Sequence, residues 1–97
     1  IMSDLPTDAE LQLIEASFAN LDFGDVEIVD KLRDVRLEAE TKNERHFVGT
    51  CFGQSTEDDS SFLVSFHCIL EKDGKAQALV SSAYAYDTRS GNEIAAA

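Results

Sequence analysis

Residues 61–71 have the sequence SFLVSFHCILE, and apolar side chains occur on both alternating faces of the β-strand that this pattern predicts. One face holds Phe62, Val64, Phe66, Cys68 and Leu70, and the other holds Leu63, Ser65, His67 and Ile69. Contiguous apolar surface of this extent is rarely left open to water. We therefore expect this strand to lie inside a sheet whose two faces both need cover.

Two further strands are predicted on either side of this segment in the chain. Residues 45–54 and 75–87 alternate in a similar way, with apolar side chains on both faces. In the second of these strands, alternation predicts one face with Val80, Tyr84 and Tyr86 and an opposite face with Leu79, Ala83 and Ala85. The polar stretch 55–60 and an Asp-Gly pair at 73–74 separate them from the first segment, as hairpin connections do. Strands joined by such short loops pair antiparallel.

An earlier strand is predicted over residues 26–40, where apolar and charged side chains alternate. The alternation fails at 30–33, which predicts a bulge or break there. A helix over 26–34 is an alternative, because Val26, Val29 and Arg33 also match a helical period. With this strand, the sheet is expected to be a four-stranded antiparallel meander.

One helix is predicted over residues 8–21. Thr7 and Glu10 have the spacing of a capping box, and Leu11, Ile14, Phe18 and Leu21 form one apolar stripe. Gly24 follows, and glycine commonly ends a helix. The predicted fold is therefore α+β, a single domain over residues 1–97 with this N-terminal helix packed on the meander. Residues 1–3 and 95–97 are expected to be remnants of cloning.

The last predicted hairpin and the order of the predicted elements resemble parts of known folds. Residues 62–87, with Asp73-Gly74-Lys75 at the turn, resemble the final hairpin of small hotdog-fold thioesterases. The order of helix and then meander is similar to that of cystatin-like folds. These resemblances imply a cystatin-like or half-hotdog-like roll. The hotdog enzymes carry a catalytic acid on their helix that matches no residue here, and no cystatin inhibitor motif is present.

The charge of the chain narrows the classes of partner. The formal net charge is −11, from 19 acidic and 8 basic residues. Residues 1–30 contain eight acidic side chains and no Lys or Arg. Direct nucleic-acid binding is therefore not expected, since it needs a basic surface. An acidic protein that mimics nucleic acid is one alternative.

Hydropathy and cysteine content bear on the compartment. No stretch approaches the roughly 18 consecutive apolar residues of a membrane-spanning helix, and no secretory signal is visible. Cys51 and Cys68 lie within apolar runs and are expected to be buried free thiols. The sequence therefore predicts a cytoplasmic protein without membrane association.

Metal, cofactor and catalytic motifs are not evident in the sequence. His67 and Cys68 are neighbours on one strand and point to opposite faces, as do His46 and Cys51. No glycine-rich phosphate loop or Gly-x-Ser-x-Gly motif occurs. We therefore predict no metal, no cofactor and no catalytic residue.

The second face of the sheet carries the functional expectation. One helix of about 14 residues spans roughly 21 Å and covers only one face. The other face is expected to be buried in a homodimer, or to bind a small apolar ligand. The candidates for this interface or binding site are Phe52, His67, Tyr84 and Tyr86. The sequence thus predicts a small, non-enzymatic binding or interaction module that self-associates; a small hotdog-like hydrolase that uses His67 is the other alternative.

Overall fold

The computed structural model describes residues 5–18, 24, 26–29, 31–58, 60–72 and 78–96. Helix α1 spans Asp8–Ser17, and Phe18 is its C-cap. The Thr7 hydroxyl accepts a hydrogen bond from the Glu10 backbone N–H (3.1 Å), and the Glu10 carboxylate accepts one from the Thr7 N–H (2.9 Å). The predicted capping box is therefore confirmed. Residues 19–23, which the prediction assigned in part to the helix, lie outside the described residues.

The sheet is antiparallel throughout its described strands. These strands are β1 (Val26–Ile28), β2 (Arg33–Glu40), β3 (Glu44–Ser55), β4 (Ser61–Glu71), β5 (Ala78–Asp87) and β6 (Glu93–Ala96). The six segments occupy five strand positions across the sheet. β1 and β2 share the first position, since both pair with β3, and β4, β5 and β6 follow β3 in order. β1 pairs with the end of β3 near Ser55, and β2 pairs with residues 45–50 of β3.

The α+β class and the antiparallel sheet are confirmed, whereas the count of four strands is not. The predicted strand 26–40 is two segments, β1 and β2, with the interruption near the position where the alternation fails. β6 is an additional strand, paired with β5 through the backbone of residues 93–96. A cystatin-like or half-hotdog-like roll is likewise not confirmed.

The core lies between α1 and one face of the sheet. The buried side chains on this face come from β2 to β5 and include the β4 series that begins at Phe62. Ile14 of the helix, which is 0 % exposed, packs with them. The Phe18 ring meets the Phe66 ring edge to face, with centroids 4.9 Å apart. Both cysteines are buried in this core, as predicted.

An ion pair joins the first turn of the helix to the sheet. Arg45 Nε donates to Glu10 Oε2 (2.9 Å), while the other oxygen of Glu10 completes the capping box. Arg45 Nη1 also donates to Glu40 Oε1 (3.0 Å), and Lys72 contacts the second Glu40 oxygen. These cations lower the pKa of Glu40, with the Lys72 hydrogen bond as the largest cause. The ion pair thereby ties the start of α1 to β3, while the helix itself packs against β5 and β4.

A register shift in β5 places Val80 on the face opposite to the predicted one. Regular alternation places Val80 on the same side as Tyr84 and Tyr86. The β4–β5 register instead shifts between His67 and Cys68, so His67 pairs with Ser82 and Cys68 with Val80. Val80 consequently packs against the core. A β-bulge of this kind moves every side chain on one side of it to the opposite face.

Gly49 has no room for a side chain. A Cβ there would lie 2.8 Å from Phe66 Cζ and 2.9 Å from Val35 Cγ2. We expect Gly49→Ala to lower the free energy of unfolding by about 2 kcal/mol, because overpacking forces core side chains to move. Denaturant unfolding measures the loss. In a Phe66→Leu background, which removes the ring atoms, the same substitution should cost clearly less; equal costs in both backgrounds would contradict the steric explanation.

The turn between β5 and β6 predicts an acid-dependent contribution to stability. The Asp87 carboxylate accepts hydrogen bonds from the backbone N–H groups of Ser90 (3.1 Å) and Arg89 (2.7 Å). These bonds lower the pKa of Asp87 below the ordinary value of 3.8. A carboxyl group with a lowered folded-state pKa stabilises the protein above its unfolded pKa, and the effect is lost as the pH falls through the folded pKa.

Asp87→Asn should therefore lower the thermal midpoint at neutral pH, and the difference from the parent protein should shrink towards zero in strong acid. Melting curves across the acid range measure this. Glu93→Gln, an exposed acidic position on β6, is the matched control. A difference for Asp87→Asn that stays constant with pH would show that the charge plays no part.

Candidate functional site

The second face of the sheet consists of rows of side chains that the strand registers align. Phe52, Leu63 and Tyr86 form one row, followed by Thr50, Ser65 and Tyr84, then Val48, His67 and Ser82. His46 pairs with Ile69 in the next row, close to the start of β3. Among the described elements, only α1 lies outside the sheet, and it packs on the opposite face.

The apolar part of this face lies at one end. Leu63 is 37 % exposed and Tyr84 is 41 % exposed, which is high for large side chains in the middle of a sheet. Phe52 and Tyr86 flank Leu63 on the neighbouring strands and are half-buried. The Arg33 guanidinium lies 5.1 Å from the centre of the Phe52 ring and extends this patch on the β2 side.

A shallow cavity of about 320 Å³ borders the middle of the face. Its lining includes His67, Tyr84, Ser65 and Glu38. Of the four predicted site residues, the structure brings His67 and Tyr84 together at this cavity, whereas Phe52 and Tyr86 are not part of its lining. The row with Phe52 and Tyr86 lies four residues along β4 from His67, about 13 Å away.

The two histidines of the chain meet at the polar end of the face. His46 Nδ1 and His67 Nε2 are 3.2 Å apart, and the ring centroids are 5.2 Å apart. His46 Nε2 lies 3.1 Å from a Glu44 carboxylate oxygen. His67 Nδ1 contacts the Ser81 hydroxyl, and that hydroxyl lies 3.2 Å from the His67 carbonyl oxygen. The four side chains therefore form one continuous series of polar contacts.

Glu38 adds a second carboxylate to this end. Its Oε2 atom is 3.7 Å from His67 Nε2, and its side chain is 56 % exposed. The imidazoles of His67 and His46 are more enclosed, at 26 % and 21 % exposed. The result is a pair of partly buried imidazoles between Glu44 and Glu38. We call His46, His67, Glu44, Glu38 and Ser81 together the histidine cluster.

Glu44 fixes the tautomer of one histidine. A carboxylate only accepts hydrogen bonds, so His46 Nε2 must carry a proton to bond with Glu44. In the neutral ring, His46 Nδ1 is then an acceptor directed at His67. For neutral His67, a hydrogen bond between the rings forms when Nε2–H donates to His46 and Ser81 donates to Nδ1. When Nδ1–H instead donates to Ser81 and Ser81 donates to the His67 carbonyl oxygen, the two facing nitrogens both carry lone pairs.

No local pattern in the sequence indicates the histidine cluster. His46 and His67 are 21 residues apart and become diagonal neighbours only through the β3–β4 register, in which Val48 pairs with His67. Cross-strand counting from the 55–60 loop is the one signal that could have paired them. Ser81 joins them because of the β5 bulge, which the alternation pattern did not show.

The remaining sequence predictions concern the cysteines, metal ligands, membrane-spanning helices and the acidic residues of the first third of the chain. Cys51 and Cys68 are buried in the core, on the face opposite the histidines, as predicted. In the described ranges, no group of three or more His, Cys, Asp or Glu side chains is already arranged around a metal position. No helix in that part of the chain is both long and apolar enough to span a bilayer. Of the acidic residues in 1–30, Asp4, Asp22, Asp25 and Asp30 lie outside the described residues.

Comparisons with protein-family models, with curated proteins and with solved structures give no significant match. The fold and the site therefore define the protein only as an α+β chain with an antiparallel sheet and an uncovered second face within the described residues. The geometry of this face is therefore the basis for inferring a function.

Glu44 should control the tautomer of His46. At mildly alkaline pH, the parent protein should show His46 as the Nε2–H form, because Glu44 accepts that proton. Glu44→Ala should remove this preference and shift the His46 ring resonances. Two-bond ¹H–¹⁵N correlation spectra of the imidazoles measure the tautomer. Glu71→Ala is the matched control, since Glu71 pairs with Glu44 in the register but bonds neither ring; an unchanged His46 tautomer in Glu44→Ala would contradict the contact.

Proposed function

We propose that the protein is a small, acidic, non-enzymatic interaction module that forms a homodimer through the second face of its sheet. The observation that carries the proposal is the contiguous apolar patch of Phe52, Leu63, Tyr84 and Tyr86, which no described element covers. A second copy of the chain is the simplest cover, because two-fold homodimers are the commonest soluble assembly. Burying this patch provides the hydrophobic driving force.

The size of the face fits a dimer interface. Eleven residues of β4 at about 3.4 Å each give a length of about 37 Å. Four strands, β2 to β5, at about 4.8 Å spacing give a width of about 19 Å. The resulting area of roughly 700 Å² is close to the roughly 800 Å² that each partner buries in a standard stable interface.

Leu63→Lys tests this proposal. A lysine at the centre of the apolar row should raise the dimer dissociation constant by about a hundredfold, because an unpaired buried charge costs about 3 kcal/mol or more. Sedimentation equilibrium over a concentration series measures the constant. Lysine is chosen because it reduces the net charge of −11, so any dissociation does not come from added overall repulsion.

Leu5→Lys is the matched control. Leu5 is 64 % exposed and precedes α1, away from the second face, and the substitution makes the same chemical change. The control should dimerise like the parent protein, and circular dichroism should show both variants folded. A parent protein that is monomeric at all concentrations, or a Leu63→Lys variant that dimerises normally, would overturn the proposal.

The second candidate function is a small ligand-processing hydrolase that uses His67. The cavity beside His67 and the nearby Glu38 carboxylate support it, since an imidazole next to a carboxylate can act in proton transfer. This candidate needs the cavity open to substrate, whereas a close-packed dimer covers that face. The oligomeric state measured above therefore also separates the two candidates.

A further inference from the structure

We propose that His46 and His67 form a binding site for a divalent transition-metal ion of the Zn²⁺ class, with Glu38 placed to supply an additional ligand. The histidine cluster carries this inference through the positions of its ring nitrogens and through the groups behind them. The inference does not depend on the proposed dimer, because all the residues involved belong to one chain.

The distance between the facing nitrogens matches two ligands of one ion. Two imidazole nitrogens bound to a tetrahedral Zn²⁺ at about 2.0–2.1 Å are separated by about 3.3–3.4 Å. His46 Nδ1 and His67 Nε2 are 3.2 Å apart. The side chains therefore need almost no movement to bind one ion together.

The tilt of the rings also fits a common ion. In a tetrahedral complex of this kind, the two ring centroids lie about 5.2 Å apart, since each centroid is about 1.1–1.2 Å behind its nitrogen. A straight hydrogen bond at the observed nitrogen separation would place the centroids about 5.5 Å apart. The centroids are in fact 5.2 Å apart, with the ring planes inclined by 50°. The centroid distance is thus the one expected when both nitrogens bind one ion.

The groups behind the rings are those that metal-binding histidines have. Such a histidine usually donates its second N–H to a carboxylate, a carbonyl group or another oxygen, which fixes the tautomer and orients the ring. His46 Nε2 has Glu44 as this partner, and His67 Nδ1 has Ser81. Ser81 can in turn donate to the His67 carbonyl oxygen (3.2 Å). In this arrangement, both facing nitrogens carry lone pairs, and a cation between them satisfies both.

The surrounding charge favours a cation at this position. Glu38 Oε2 is 3.7 Å from His67 Nε2, and rotation of this exposed side chain can bring an oxygen to the ion. Glu44 and Glu38 thus place two negative charges beside the rings. A positive charge also lies nearby, that of Arg36, which pairs with Val48 and donates to the Asp34 carbonyl oxygen (3.4 Å). Two imidazoles, one carboxylate and water make a donor set suited to Zn²⁺ and Cu²⁺ rather than to Mg²⁺ or Ca²⁺.

Zinc titration of the untagged, chelator-treated full chain tests the proposal. Isothermal calorimetry in excess Mg²⁺, which occupies carboxylate sites on the acidic surface, should show one Zn²⁺ per chain. The ring resonances of both histidines should shift together, and the chain contains only these two histidines. His46→Gln and His67→Gln should each weaken binding at least about tenfold, and Glu44→Gln should weaken it by about tenfold through His46.

Ser82→Ala is the matched control, because Ser82 lines the same cavity beside His67 without contacting either ring nitrogen. It should bind zinc like the parent protein. Zinc binding that survives in the double variant His46→Gln/His67→Gln, or ring resonances that do not respond to saturating zinc, would overturn the proposal. If the ring resonances do not respond, the contact between the two imidazoles is a hydrogen bond and not a metal site. Sedimentation of the zinc-free protein gives the dimer result independently of either outcome.

Discussion

The pairing of β3 with β4 is the constraint on which the rest of the structure depends. Eleven consecutive residue pairs, from Glu44–Glu71 to Gln54–Ser61, hold these strands in one register. A slip of one residue would turn Phe47 and Cys51 away from the core and direct neighbouring side chains of β3, including the polar His46 and Thr50, into it. The tight contact at Gly49, where Phe66 and Val35 leave no space for a Cβ, belongs to this same register. Helix α1, the core and the second face all follow from it.

Local sequence signals predicted those features that local chemistry controls. The capping box, the antiparallel pairing and the burial of both cysteines follow from short-range spacing and alternation, and the structure shows all three. The strand count failed for a physical reason: residues 26–40 divide into β1 and β2 at the break rather than forming one strand, and β6, with four residues, is too short to show a period. Such strands form because an edge of the sheet offers unpaired backbone groups, which is a tertiary effect.

The candidate site shows the same division between local and long-range effects. Alternation correctly placed Phe52, His67, Tyr84 and Tyr86 on one face, yet it could not give their separation or their neighbours. Val80 was assigned to the wrong face because a bulge leaves no mark in an apolar and small-residue stretch such as β5. The bulge also brings Ser81 to His67, and the β3–β4 register brings His46. The histidine cluster is thus a product of register and bulge together.

The two ends of the second face have different physical characters, and this separates the two proposals. The Phe52, Leu63 and Tyr86 row offers apolar surface that gains from exclusion of water. The histidine cluster holds two imidazoles and two carboxylates, and a dry interface would have to remove their hydration at considerable cost. A dimer over this face therefore buries the apolar row at one end and has the cluster at its other, wetter end, where an ion keeps water in its open coordination positions. Metal binding and self-association can then occupy one face without competing for the same side chains.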